Sequence, residues 1–205
     1  MTQGGDYISF GLEQARGAVL GLMARDNLQL QPKTMPRTRR QKASGRLKQV
    51  EIIVRRLIFL MALALKLAPV RPRTPAPEEA LEDDVELAIF PRVPQRRIVL
   101  MPPAQAPAVF SPFMVHVAPV SGPPGPVSSA PLIARISALL HLLKAPETAA
   151  KRLARIIERL KAKGEPRPIA GPVASAFRLS PELGALSTAL PGQINAALET
   201  WESSG

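Results

Sequence analysis

Hydrophobic and polar residues alternate along this chain in short blocks, and the longest hydrophobic block is RRLIFLMALALKL at positions 55–67. The apolar residues in and before this block follow a three–four spacing, which is typical of a helix with a heptad seam. The seam contains Leu47, Val50, Val54, Leu57, Met61, Ala64 and Ala68. Because Pro69 cannot continue a helix, the pattern predicts a helix over residues 46–68.

Helical spacing recurs in three other parts of the chain. Residues 8–25 predict a weak helix, because three glycines interrupt it and glycine is unfavourable inside helices. Residues 131–164 carry two apolar stripes separated by Pro146, which suits the first turn of a new helix. This pattern predicts a kinked helix or a helix–helix corner. Residues 180–205 predict two short helices separated at Pro191.

Composition argues against a single compact domain. The 205 residues include 23 prolines, and only 4% of the residues are aromatic, so few large side chains are available for a core. We therefore predict a mainly α protein of several separate amphipathic helices, joined by long Pro-rich disordered linkers and lacking a single compact core. The predicted segments are a weakly helical N-terminal segment (1–32), a basic arm (33–45), a hydrophobic helix (46–68), a Pro-rich, partly acidic linker (69–130), a kinked amphipathic basic unit (131–164), a linker (165–179) and short C-terminal helices (180–205).

Charge is distributed unevenly. The net charge is +11, and residues 33–73 alone carry a net charge of +11, whereas residues 74–100 carry −3. Such a block favours a polyanionic partner, or the basic and acidic blocks screen each other. The candidate basic arm consists of Lys33, Arg37, Arg39, Arg40, Lys42, Arg46 and Lys48. A candidate basic helix face consists of Lys151, Arg152, Arg155, Arg159 and Lys163.

The hydrophobic helix has three interpretations. Its uninterrupted apolar run, residues 57–65, would cover roughly 13 Å, less than half of a bilayer core. A spanning segment would have to extend over residues 52–70 and include three cations. The helix could instead lie in a membrane interface, or be buried against a partner or a second copy. The residues predicted to make that membrane or partner contact are Leu57, Ile58, Phe59, Leu60, Met61, Leu63 and Leu65.

Motifs for catalysis or metal binding are missing from the sequence. There is no cysteine, and the two histidines, His116 and His141, belong to no metal-binding pattern. Phosphate-binding glycine motifs and the nucleophile elbow are also missing. We therefore predict no catalytic, cofactor-binding or metal-binding residue, no cofactor, and no enzymatic activity.

The sequence thus favours a non-enzymatic interaction or scaffold protein. Its hydrophobic helices would bind an unknown protein partner, a second copy or an anionic membrane surface. The alternative is nonspecific nucleic-acid binding through the basic segments 33–48 and 151–163. A second alternative is a single-span membrane protein. We expect a cytoplasmic location, with membrane association as an option.

Overall fold

The computed structural model describes residues 3–65, 98, 100, 125–171, 179–199 and 201. Within this part of the chain, helices predominate and one short strand pair is present, so the predicted mainly α class is confirmed. The elements in chain order are α1 (Gln3–Arg25), a 3-10 helix (Leu28–Leu30), β1 (Thr34–Pro36), α2 (Arg37–Ala64), β2 (Pro126–Ser128), α3 (Ala130–Lys144), α4 (Pro146–Ala162) and α5 (Pro181–Ala197).

Helices α1 and α2 form an antiparallel hairpin. A Cβ added at Gly11 would lie 2.9 Å from Leu57 Cδ1, so this glycine permits a close approach of the two helices. At the other end, Arg39 Nε lies 3.7 Å from Asp26 Oδ1. The predicted weak N-terminal helix is therefore present, and it is stabilised by packing against α2.

Helix α2 begins nine residues earlier than the sequence pattern predicts, at Arg37 instead of position 46. The prediction of a separate, non-helical basic arm at 33–45 is therefore wrong beyond Pro36. Ser44 disfavours helices when its hydroxyl competes for backbone groups, but here that hydroxyl accepts a hydrogen bond from Arg135. Burial of Ala43 and Leu47 adds tertiary packing, which overrides the weak local propensity.

A two-stranded antiparallel pair ties the start of α2 to the start of α3. Thr34 pairs with Ser128, and Pro36 pairs with Pro126. Beside the pair, the Ser129 hydroxyl donates to the Pro32 carbonyl. The strand pair was not predicted, because each strand is only three residues long and one of them lies in the segment predicted to be linker.

Of the two arrangements predicted around Pro146, a kinked helix or a helix–helix corner, the structure has the corner. Helix α3 ends at Lys144, Ala145 forms the corner, and α4 starts with Pro146 in its first turn. After α4, Gly164 adopts a left-handed φ of 68°, a conformation that favours glycine.

The predicted break at Pro191 is wrong, because α5 runs continuously through this residue from Pro181 to Ala197. Buried Leu190 and Ile194 flank the proline in sequence and anchor both halves of the helix to the core. Their burial offsets the backbone hydrogen bond that proline cannot donate.

The helices share one hydrophobic cluster, with α2 at its centre in contact with each of the other four. This corrects the expectation that there is no single compact core. From Gln49 to Leu63 every residue of α2 is buried or half-buried, so several neighbours with narrow apolar stripes can pack around this part of the helix. Leucine, isoleucine and alanine thereby supply the close packing that the few aromatic residues do not.

Most of the predicted linkers lie outside the described residues, including positions 69–97, 101–124 and 172–178. Between the first two of these stretches, Ile98 and Leu100 are described. Both are partly buried against the shared hydrophobic cluster. The last three residues of the predicted hydrophobic helix, 66–68, also lie outside the described residues, and α2 ends at Ala64.

Residues 165–171, at the start of the predicted second linker, run beside α5. Asn195 holds this segment, since its Oδ1 accepts from Ala170 N at 3.2 Å and its Nδ2 donates to Ala170 O at 3.4 Å.

Candidate binding surface

The first apolar residues of the most hydrophobic segment pack inside the protein. Leu57, Ile58 and Phe59 are at most 1% exposed, and all three belong to the shared cluster. These side chains are therefore unavailable to a partner or a membrane while the fold is intact. The remaining members of the predicted contact set are half-buried at the C-terminal end of α2, namely Leu60, Met61, Leu63 and Leu65.

The two arginines that precede this segment are also used internally. Arg56 donates to the carbonyl of Gly171, and burial lowers the pKa of its guanidinium below the usual value. Its other terminal nitrogen, Nη1, has no hydrogen-bond partner within the described part of the chain. Arg55 Nη2 lies 3.8 Å from Glu51 Oε2. Both arginines therefore make contacts within the fold, although the Arg55 side chain is 37% exposed.

A buried ion pair was missed by the sequence analysis. Arg135 Nε and Nη2 donate to the two carboxylate oxygens of Glu51 at 3.1 and 2.8 Å, and Nη1 donates to Ser44 Oγ at 2.9 Å. The Glu51 side chain is 8% exposed and that of Arg135 is 17% exposed. The sequence does indicate that Glu51 needs a buried cationic partner. Glu51 is the single acidic residue in a long basic stretch, and it lies within the apolar pattern of α2.

The candidate basic arm becomes the first turns of α2 and the strand before it, and part of its charge is used in structural contacts. Arg39 faces Asp26, and Arg40 donates to the Ser128 carbonyl at 3.2 Å. The exposed members of the set are Lys33, Arg37, Arg39, Lys42 and Lys48, whereas Arg40 and Arg46 are half-buried. The arm is therefore an ordered helical surface with a reduced number of available cations.

The candidate basic helix face is more fully available. Ala150, Leu153, Ala154 and Ile157 bury one side of α4 in the core. All five predicted cations lie on the exposed side, namely Lys151, Arg152, Arg155, Arg159 and Lys163. None of the five forms an ion pair within the described residues. This set, on the outer side of α4, is called the α4 basic face below.

Two features modify the α4 basic face. Glu147 and Glu158 are also exposed on this helix, so the face is not uniformly positive. Ile156 is 43% exposed at its edge and adds a small apolar contact area. Because α4 is a regular helix with a buried apolar side, and Lys163 is the residue that caps its C-terminal end, the five cations are spread over roughly 18 Å.

Trp201 fixes the C-terminal end of α4 against the chain that follows α5. Its Nε1 donates to Glu165 O at 3.3 Å, and Lys161 Nζ lies 5.1 Å from the centre of its ring. Trp201 is 8% exposed and belongs to the shared cluster, so it acts as a local hydrophobic anchor. Lys161 was not among the predicted residues, since its partner lies forty positions away in sequence.

The described residues hold no candidate metal centre. They contain no group of three or more histidine, cysteine, aspartate or glutamate residues that could hold a metal ion. His141 is exposed on α3, and His116 lies outside the described residues. In the same part of the chain, each helix is too short or too polar to cross a bilayer.

Comparison with known proteins supplies no relative. The chain matches no protein-family model, no curated protein sequence and no solved structure.

Proposed function

We propose that this protein is a non-enzymatic interaction protein that binds the phosphate backbone of nucleic acid through the α4 basic face. The observation that carries the proposal is the contrast between two surfaces. The predicted partner-binding residues Leu57, Ile58 and Phe59 are buried in the core, whereas five cations of α4 face solvent without an ion pair in the described residues. We further propose a cytoplasmic location.

The geometry of α4 suits a ligand whose negative charges are regularly spaced, such as the phosphate backbone of a nucleic acid. DNA presents one phosphate per 3.4 Å of axis on each strand, so a row of cations roughly 18 Å long can face several phosphates. The outward side chains of α4 include no aromatic residue. Base stacking is therefore not provided there, and we expect binding that is strongly salt-dependent and independent of sequence.

An anionic membrane surface is the competing partner. Stable binding at a membrane interface requires an apolar contribution in addition to positive charge. On α4 the apolar side is packed in the core, and Ile156 is the only large apolar side chain on its exposed side. This distribution favours nucleic acid over lipid.

The test is a fluorescence-anisotropy titration of a labelled DNA duplex at low and at moderate salt. Changing Lys151, Arg152, Arg155 and Arg159 to Gln removes four charges from the α4 basic face. The matched control changes Lys33, Lys42, Lys48 and Lys144 to Gln and removes the same charge from other exposed positions. We expect the α4 variant to reduce the slope of log K against log salt by about 3 to 4, and the control to reduce it less.

Two outcomes would contradict the proposal. Equal losses in the two variants would show that net charge alone drives binding and that α4 is not a binding surface. Tighter binding to vesicles of anionic lipid than to DNA, measured by co-sedimentation at the same salt, would identify the membrane surface as the partner instead.

A further inference from the structure

Helix α1 carries a second ordered seam on its solvent side. Its inner seam packs against the core through Ile8, Leu12, Ala15, Val19 and Leu22. Its outer seam follows the same four–three spacing and consists of exposed Asp6, Phe10, Glu13, Gly17, Leu20 and Ala24. Phe10 is 47% exposed and Leu20 is 49% exposed, although both are large apolar residues. A helix with two seams at heptad spacing can pack against two helices at once.

Charges in and beside the outer seam are separated by sign along the helix. The acidic residues Asp6 and Glu13 lie in the N-terminal half, and the exposed arginines Arg16 and Arg25 follow towards the C-terminal end. None of these four takes part in an ion pair within the described residues. A second α1 running antiparallel would therefore place opposite charges against each other.

One register of two antiparallel α1 helices produces three favourable contacts between the copies. With a two-fold axis at the level of Ala15, Phe10 of one copy faces Leu20 of the other. The same axis brings Glu13 beside Arg16 and Asp6 beside Arg25 of the other copy. Because one register satisfies the apolar pair and both charge pairs, the outer seam is complementary to itself.

Gly17 of the outer seam and Gly21 beside it fit the same arrangement. A Cβ at Gly17 or Gly21 would have no atom within 4 Å, so packing inside the chain does not account for glycine at either position. Glycine is also the least favourable helix residue after proline. In the antiparallel register these positions face Glu13 and Ser9 of the other copy, and the missing side chains allow the helices to approach closely.

We propose that two copies of this chain associate through an antiparallel pairing of their α1 outer seams. The occupant of the seam is thus a second copy. The proposal does not depend on nucleic-acid binding, because α1 and the α4 basic face share no residue.

Sedimentation equilibrium over a range of concentrations tests the pairing. We expect a monomer–dimer equilibrium for the unmodified protein. Glu13→Arg alone and Arg16→Glu alone should each weaken it about tenfold or more, because each places like charges together. Mixing the two variants should restore association as a heterodimer, and the double variant E13R/R16E should restore it in one chain.

A glycine substitution separates association from stability. Gly17→Gln places a good helix former at an open position, so it should raise the midpoint of thermal unfolding while reducing dimer formation. Gly45→Gln on α2 is the matched control, since Gly45 is also exposed with no atom within 4 Å of an added Cβ. The control should raise the midpoint and leave association unchanged.

The proposal is overturned if the unmodified protein stays monomeric up to about 1 mM. It is also overturned if the charge variants dimerise as well as the unmodified protein, or if their mixture fails to recover the lost association.

Discussion

Glu51 is the only acidic residue between positions 33 and 73, and the fold places its carboxylate out of water against Arg135. Transferring both charges from water has a large desolvation cost, which the bidentate pairing and the hydrogen bond to Ser44 offset. The pair joins α2 to α3 at one defined register. We expect its main effect to be on which residues of the two helices face each other.

Removing the carboxylate charge tests this role. Glu51→Gln leaves the Arg135 guanidinium buried without an anion, so we expect the free energy of unfolding to fall by about 2–3 kcal/mol. Urea denaturation measures the change. The control Glu147→Gln affects an exposed carboxylate without an ion pair in the described residues and should change stability by no more than about 0.5 kcal/mol.

A double substitution checks the explanation. Changing Glu51 to Leu together with Arg135 to Met removes both charges at once, and the loss should shrink to about 1 kcal/mol or less. If the double variant is as unstable as Glu51→Gln, the cost comes from packing instead of an unpaired charge.

Elements differ in how far the sequence alone could define them. The stripes of α3 and α4 and the corner at Pro146 were predicted, because amphipathic spacing and a proline in the first turn are local signals. The start of α2 and the continuity of α5 at Pro191 were not, because both depend on tertiary packing. The α4 basic face was also predicted, since a cation stripe opposite an apolar stripe needs no tertiary information.

The contact between α1 and α2 gives a prediction at the level of elements. At Gly11 an added Cβ would meet Leu57 Cδ1 at 2.9 Å, whereas at Gly45 it would meet nothing within 4 Å. Gly45→Ala should raise the free energy of unfolding by about 0.5–1 kcal/mol through helix propensity. Gly11→Ala should yield no gain, because the fully buried Leu57 would have to shift.

Urea denaturation of the two alanine variants side by side measures this difference. Equal stabilisation by both would mean that the two helices are not in close contact at Gly11.

For the whole molecule, the shared cluster implies cooperative unfolding. Composition led us to expect separate helices, because prolines are frequent and aromatic residues are scarce. Composition does not reveal whether short apolar stripes converge on one helix, and here they converge on α2. What could not be predicted was thus the long-range pairing, including the strand pair and the ion pair between α2 and α3.

Thermal unfolding measures this cooperativity with two probes. Far-UV circular dichroism reports all helices, and the fluorescence of Trp201 reports the contact between α4 and the C-terminal segment. We expect one transition with the same midpoint for both probes. Separate transitions would show that the helices unfold as independent units.

Leu57, Ile58 and Phe59, in the most hydrophobic segment, form part of the protein's own core, which leaves the charged exterior for binding. Amide hydrogen exchange over these three residues, with and without anionic lipid vesicles, measures whether they stay buried. We predict that these amides exchange as slowly as the most protected in the protein, near the limit set by global unfolding, and that vesicles leave their rates unchanged. Rapid exchange in the free protein, slowed when vesicles are added, would contradict the claim.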